Sequence, residues 1–166
     1  FEGFEHIISN TQSLLDDCKI SFAFDDVRHN QNQATYLSNK EEDYKYLEKL
    51  VYERISKRYR IVDQIIKTRI EKELQAIRQM DFVSYFLINY DIIQYAIKNE
   101  YPYIGRGSGA NSVVAYILGI TNVDPIELDL YFERFINLYR SSPPDFDIDF
   151  SWKDRDDVTH YIFTRF

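Results

Sequence analysis

Pro143-Pro144-Asp145-Phe146-Asp147-Ile148-Asp149-Phe150 sets an acid at every second residue with an apolar side chain between. Successive side chains of an extended strand point to opposite faces. Asp145, Asp147 and Asp149 therefore share one face, and Phe146, Ile148 and Phe150 share the other. The apolar face reads as core. The acidic face needs its own explanation, because like charges this close repel. A divalent cation would relieve the repulsion, and Mg²⁺ takes oxygen ligands of this kind. The competing reading is an edge strand with a hydrated acidic face, so the remainder of the chain has to decide.

The chain has 166 residues, enough for one domain with a real core. It begins with Phe rather than Met and reads as an excised piece or a processed product. Hydrophobic residues make up 45% and charged residues 28%, a globular rather than a disordered balance. The net charge of −7 weighs against a piece that grips DNA by itself, since isolated nucleic-acid-binding domains are usually basic. It does not weigh against a metal site, which is acidic by necessity. The single Cys18 permits no internal disulfide and fits a reducing cytoplasm. No apolar run is long enough to cross a membrane, so no membrane partner is expected.

Upstream of the acidic strand the chain reads as helical. Phe4, Ile7, Ile8, Thr11, Leu14 and Leu15 recur at helical spacing over residues 4–17. Lys19 to Phe24 alternates as a short strand, and the polar run Asn30 to Gln33 reads as a linker. Ser38 and Glu41 form an S-x-x-E capping box for a helix over 40–59. A second helix over 61–79 carries Val62, Ile65, Ile66, Ile70, Leu74 and Ile77 on one side. The basic residues Lys67, Arg69, Lys72 and Arg78, with Lys57, Arg58 and Arg60 at the joint, read as a solvated face. Residues 82–98 are apolar nearly all round, which marks a buried helix. Asp91 and Gln94 within it read as satisfied structural groups. All four prolines lie at or after Pro102, so turn chemistry concentrates in the last third.

That third opens with Pro102-Tyr103-Ile104, an extended segment running into Gly105-Arg106-Gly107-Ser108-Gly109 and a helix that stops at Gly119. Strand, glycine turn and helix is a geometry that cradles phosphate, with free N–H groups at the helix start. The turn is neither a Walker A motif nor a G-x-G-x-x-G, and a tight turn needing positive φ explains it equally well. Arg106, Arg134 and Arg140 lie between this turn and the acidic strand, and arginine binds phosphate oxygens bidentately. Arg134 can also be read as the ion-pair partner of Glu133. Turn, arginines and aspartates together form a coherent set for nucleotidyl or phosphoryl transfer. Trp152 reads as packing, and His6, His29 and His160 lack metal spacing.

Several of these motifs occur together in one family. Gly105 to Tyr116, Leu118-Gly119-Ile120-Thr121, Asp124-Pro125-Ile126, Phe132-Glu133-Arg134-Phe135 and Pro144 to Phe150 resemble the bacterial DNA polymerase III alpha subunit, the C-family DNA polymerases. Tyr85-Phe86-Leu87-Ile88 and Glu71-Lys72-Glu73-Leu74 fit the same region. The resemblance implies an α+β fold, predominantly helical, with a helical support packed on part of a polymerase-beta-like nucleotidyltransferase palm. Residues 1–36 would be the tail of a preceding PHP-like domain and a linker. Residues 37–166 would be the first palm segment, with support over 37–100 and the nucleotide and metal half over 101–166. Gly107 and Ser108 match the pair that binds the incoming triphosphate, and Arg134 and Arg140 match arginines near it, with Arg106 beside them. Asp145 and Asp147 match two of three catalytic aspartates that hold two Mg²⁺ ions, and Asp149 matches a supporting position. The third aspartate is expected beyond Phe166, so this piece alone should not polymerise. The implied substrates are a dNTP and primer-template DNA, with replisome partners such as the sliding clamp reached through other regions.

The family often carries Asn-Pro-Glu-Arg where this chain has Asn137-Leu138-Tyr139-Arg140. Ala110-Asn111-Ser112 and Pro143-Pro144 lean toward the error-prone paralogues. Two other readings stand beside the polymerase one. A self-contained metal-dependent nucleotidyltransferase would need a third acid within the chain, and Asp154, Asp156 and Asp157 read more simply as a solvated charge run. A non-catalytic helical interaction domain would leave the Asp strand as plain surface.

Overall fold

The hydrophobic stripes of the sequence become helices in the computed structural model, which describes residues 3–18, 35–136 and 145–166. The chain divides into two units, Phe1–Asn32 and Gln33–Phe166. Within the first, helix α1 spans Glu5–Asp17. The expected strand at Lys19 to Phe24, the Asn30 to Gln33 run, Arg140 and the Pro143-Pro144 pair lie outside the described residues.

The second unit contains helices α2 (Lys40–Arg58), α3 (Gln64–Gln79) and α4 (Val83–Lys98), then strand β1 (Tyr103–Arg106). A 3₁₀ segment, Gly107–Asn111, leads to helix α5 (Val113–Leu118), and a short 3₁₀ turn follows at Phe132–Arg134. Strand β2 (Asp147–Phe150) and helix α6 (Arg155–Arg165) complete the order. The fold is α+β and predominantly helical, with β1 and β2 forming a two-stranded antiparallel sheet. No helix among the described residues is long and apolar enough to cross a membrane.

The core forms where the stripes of α2, α3 and α4 meet α5. Leu47, Val51, Ile70, Ile77, Phe86, Leu87, Ile93, Val114 and Leu118 are removed from water almost completely. Each contributes about 1.5–3 kcal/mol of transfer free energy, so α5 is held chiefly by what it buries. Only six residues long, it has too few internal bonds to persist alone.

The helix ends differ in detail from the sequence reading. The cap of α2 is Asn39, not Ser38: its side chain accepts the N–H groups of Glu41 and Glu42. Asp43, one turn in and 1% exposed, accepts the N–H groups of Tyr36 and Leu37 and folds the entering chain back onto the helix. Gly119 ends α5 at φ 86°, as its position suggested. Helix α5 does not begin directly at Ala110. The 3₁₀ turn intervenes, and Ser112 caps the helix by accepting the Ala115 N–H.

Tyrosines fasten α6 to the helix beneath it. Asp91 on α4 accepts the hydroxyls of Tyr36 (2.7 Å) and Tyr161 (2.6 Å), which satisfies that half-buried acid as expected. Gln94 is less well served, since its Nε2 is buried without a partner. Tyr95 stacks on Tyr161 at 3.8 Å, and Asp157 accepts the hydroxyls of Tyr95 (2.7 Å) and Tyr101 (3.0 Å). Asp157 is therefore not part of a merely solvated charge run. The two phenols, Tyr95 first, hold its carboxyl below the ordinary aspartate value. A depressed folded pKa gives stability that is present above the unfolded pKa and lost as pH falls through the folded one. The same bond pushes the Tyr95 phenol up to about 12, a contribution present below its ordinary value of 10.0 and lost as pH rises through 12. The thermal midpoint of Asp157→Ala is expected below that of the wild type at neutral pH. The gap should close toward both extremes, as read by melting curves across pH.

Candidate functional site

The sheet register decides which side chains meet. Arg106 stands opposite Asp147, Gly105 opposite Ile148, Ile104 opposite Asp149 and Tyr103 opposite Phe150. One face of the sheet thus carries Ile104, Arg106, Asp147 and Asp149. On the other face Ile148 and Phe150 pack against the core with Tyr103, and Phe146 joins them just ahead of the strand. Alternation in the acidic stretch is realised as the sequence pattern requires, although the paired strand itself spans only Asp147–Phe150.

The glycine turn lies directly against this strand, and the glycines are what permit it. A Cβ on Gly105 would fall 2.0 Å from the Ile120 carbonyl oxygen. One on Gly109 would fall 2.5 Å from the Phe146 ring, and one on Gly107 2.4 Å from Oδ2 of Asp147. Gly107 also adopts φ 72°, which side chains with a Cβ disfavour. The two motifs, some forty positions apart in the chain, therefore form one constellation in which the turn touches the middle carboxylate.

A cavity of about 470 Å³ opens beside the turn, lined by Gly107, Ser108, Ala110, Asn111, Leu130 and Arg134. Three of the residues singled out for phosphate thus border one space. Arg134 has no ion-pair partner among the described residues: Glu133, its expected partner, is bound by Lys72 instead. Arg106 takes a different course. Its Nε donates to Asp149 at 2.7 Å, and its Nη1 lies 3.5 Å from Asp147. It serves the acidic face rather than the cavity, and these two carboxylates raise its own pKa, Asp149 foremost. Asp145 is exposed just ahead of β2. Arg140 lies outside the described residues.

The N-terminus of α5 is not free for an outside anion. Glu73 of α3, wholly buried, accepts the N–H groups of Val113 and Val114 at 3.1 Å each and the Ser112 hydroxyl at 2.8 Å. Arg69 closes this group, donating from Nε to Glu73 at 2.7 Å and from Nη2 to the carbonyls of Asn111 and Leu130 at 2.9 Å each. Burial pushes the Glu73 carboxyl up, while the Val114 and Val113 N–H groups and Arg69 pull it back. The helix start that appeared able to cradle phosphate is thus filled by the protein's own carboxylate. Any anion bound here is left to Ser108, the turn backbone and Arg134.

Three sequence readings are corrected by this geometry. Arg69 is not on a solvated face: it ties α3 to the glycine turn and to the segment before Phe132. Arg58 is likewise engaged, donating to the Tyr116 carbonyl at 3.0 Å and lying 4.7 Å over the Tyr116 ring. Trp152 is 78% exposed and does not pack. Glu73 was missed as a site residue, although a signal existed. It is an acid inside the apolar stripe of Ile70, Leu74 and Ile77, with an arginine four residues before it. Tyr85 was also missed. It stacks on Phe146 at 5.3 Å, and its hydroxyl accepts the Phe146 N–H at 2.8 Å. Phe86 and Phe135 close around the same ring at 5.1 and 4.8 Å.

The sequence model of the bacterial DNA polymerase III alpha NTPase domain matches residues 45–166. A DNA polymerase III subunit alpha of Treponema pallidum is 48% identical over 122 residues, covering 73% of this chain and 10% of that relative. An error-prone DNA polymerase of Symbiobacterium thermophilum is 36% identical over 166 residues, covering 100% of this chain and 15% of that protein. One from Hahella chejuensis is 40% identical over 157 residues, covering 93% of this chain and 15% of the relative. The chain thus spans between 10% and 15% of the length of these relatives.

Proposed function

The chain belongs to the bacterial DNA polymerase III alpha family, and from that premise we propose that it supplies part of the nucleotidyl-transfer site of a DNA-directed DNA polymerase. In this reading, residues 37–166 are the first segment of a polymerase-beta-like palm, 37–100 its helical support and 101–166 its nucleotide and metal half. Residues 1–36 are the tail of a preceding PHP-like domain with its linker. Asp145 and Asp147 hold two Mg²⁺ ions together with a third carboxylate from beyond Phe166, and Asp149 supports them. Gly107, Ser108, Arg134 and Arg140 receive the triphosphate of the incoming dNTP. The substrates are a dNTP and primer-template DNA, the sliding clamp is reached by other regions, and the protein works in the cytoplasm.

The donor set fits the ion. Among the described residues no three His, Cys, Asp or Glu side chains are grouped to hold a metal. Mg²⁺ usually needs only one or two carboxylates, completed by water and substrate phosphates. When bound, the ions would stabilise charge on the attacking 3′-hydroxyl and on the leaving pyrophosphate. The chain's own part is orientation. Ser108 and the Gly107 backbone present donors to phosphate oxygens, and Arg134 adds a charge unclaimed by any acid among the described residues. Arg106 orients Asp149 through its Nε and reaches Asp147 at 3.5 Å.

The observation that carries the reading is that Gly107 faces the Asp147 carboxylate, so that a Cβ there would fall 2.4 Å from its Oδ2, with Ser108 and Arg134 around the adjoining cavity. Only a ligand that is both metal-bound and anionic uses both halves of that constellation. Titration with Mn²⁺ tests it by paramagnetic NMR broadening. Selective loss of the Asp145, Asp147 and Gly107 signals is expected at low metal concentration. Uniform loss over every exposed acid would favour a plain acidic surface and the non-catalytic reading.

A further inference from the structure

Strand β1 turns away at Gly107, so the pairing with β2 ends at Arg106 and Asp147. No β1 residue stands opposite Phe146, and its N–H has no partner in the sheet. That peptide lies between the two carboxylates that the proposed site uses, so whatever fixes it sets their spacing. Tyr85 of α4 does so twice. Its hydroxyl accepts the Phe146 N–H at 2.8 Å, and its ring stacks on the Phe146 ring at 5.3 Å and 14°. On the Phe146 ring's other contacts, Gly109 leaves no room for a Cβ, and Phe86 and Phe135 pack against it.

We propose that Tyr85 is a positioning residue for the metal-binding carboxylates, acting through the Phe146 peptide to hold Asp145 and Asp147 at the spacing the ions require. The inference rests on the proposed site. Two observations carry it. The bond is formed where a strand partner is lacking, and an N–H so placed needs an acceptor. Helix α4 is anchored in the core through Val83, Phe86 and Leu87, so the hydroxyl is presented from a fixed support.

The test is Tyr85→Phe, which removes one oxygen and keeps the stacked ring. Tyr95→Phe is its control: it removes another hydroxyl from the same helix, bonded to Asp157. Mn²⁺ affinity is read by electron paramagnetic resonance on the 166-residue chain, and exchange of the Phe146 amide by NMR on the metal-free protein. A single lost hydrogen bond predicts about fivefold weaker Mn²⁺ binding for Tyr85→Phe. Phe146 exchange should quicken, while Tyr95→Phe binds Mn²⁺ as the wild type does. In the full-length protein Tyr85→Phe should lower kcat and leave the KM for dNTP nearly unchanged. Wild-type Mn²⁺ affinity in Tyr85→Phe would overturn the proposal and leave the site reading intact, as would an equal loss in Tyr95→Phe. Mn²⁺ binding that is absent in the wild type, or indifferent to Asp147→Asn, would overturn the site reading and this inference with it.

Discussion

Asp147→Asn in the full-length protein is expected to lower single-nucleotide incorporation on the order of a thousandfold or more, with the fold unchanged. The size follows from the role. A charge that positions ions at the reacting centre acts in the transition state, where loss of one electrostatic group typically removes two to three orders of magnitude. Preservation of the fold follows from the surroundings. The Asp147 side chain is 41% exposed, and its contact with Arg106 is long at 3.5 Å. An exposed pair of that kind adds about 0–1 kcal/mol. Asp145→Asn should behave alike. Asp149→Asn is the internal comparison: it sits 2.7 Å from Arg106 and is read as supporting, so its loss should be roughly tenfold. Primer extension under single-turnover conditions, beside circular dichroism of each variant, checks all three. An Asp147→Asn protein within tenfold of wild type would remove this residue from the chemistry.

Glu73→Ala is expected to cost about 3–5 kcal/mol of stability, the usual penalty for removing one partner of a buried ion pair. Arg69 would be left with 19% exposure and no carboxylate, and the Ser112 hydroxyl and the N–H groups of Val113 and Val114 would lose their acceptor. Domains of this size are typically stable by about 5–15 kcal/mol, so the variant would be marginal. Glu73→Gln keeps the volume and one acceptor oxygen and should lose less, about 1–3 kcal/mol. Urea unfolding monitored by circular dichroism gives both values. Loss of under 1 kcal/mol in Glu73→Ala would mean that α5 and the glycine turn are held by packing alone.

What the sequence disclosed, and what it hid, divides along one physical line. Features written in local order were legible. The alternation of Asp145 to Phe150 was realised with one core face, paired as a strand over Asp147–Phe150, Gly119 ended a helix, and the run 82–98, apolar nearly all round, became helix α4, with Phe86, Leu87 and Ile93 in the core and Ile97 left exposed. The α+β, mainly helical architecture was implied by the family that these motifs resemble. Features that depend on a distant partner were not legible. Arg69 looks like one basic residue among several until α5 and Leu130 arrive beside it, 42 and 61 positions away along the chain. The α5 N-terminus looked open to phosphate because its occupant, Glu73, is supplied by another helix. Within the site, spacing suggested that the glycine turn, the arginines and the aspartates act together, and the family resemblance implied Gly107, Ser108, Asp145 and Asp147 among them. Only the fold could show that Gly107 must lack a Cβ because Asp147 stands where it would be.

If this turn and this strand form one site for a metal-bound triphosphate, the Mn²⁺ titration should change when a dNTP is present. The dNTP should tighten Mn²⁺ binding and spread the selective broadening from Asp145 and Asp147 to Gly107, Ser108 and Arg134, with both effects abolished in Asp147→Asn. Broadening that is unchanged by dNTP and centred on Asp154, Asp156 and Asp157 would contradict it.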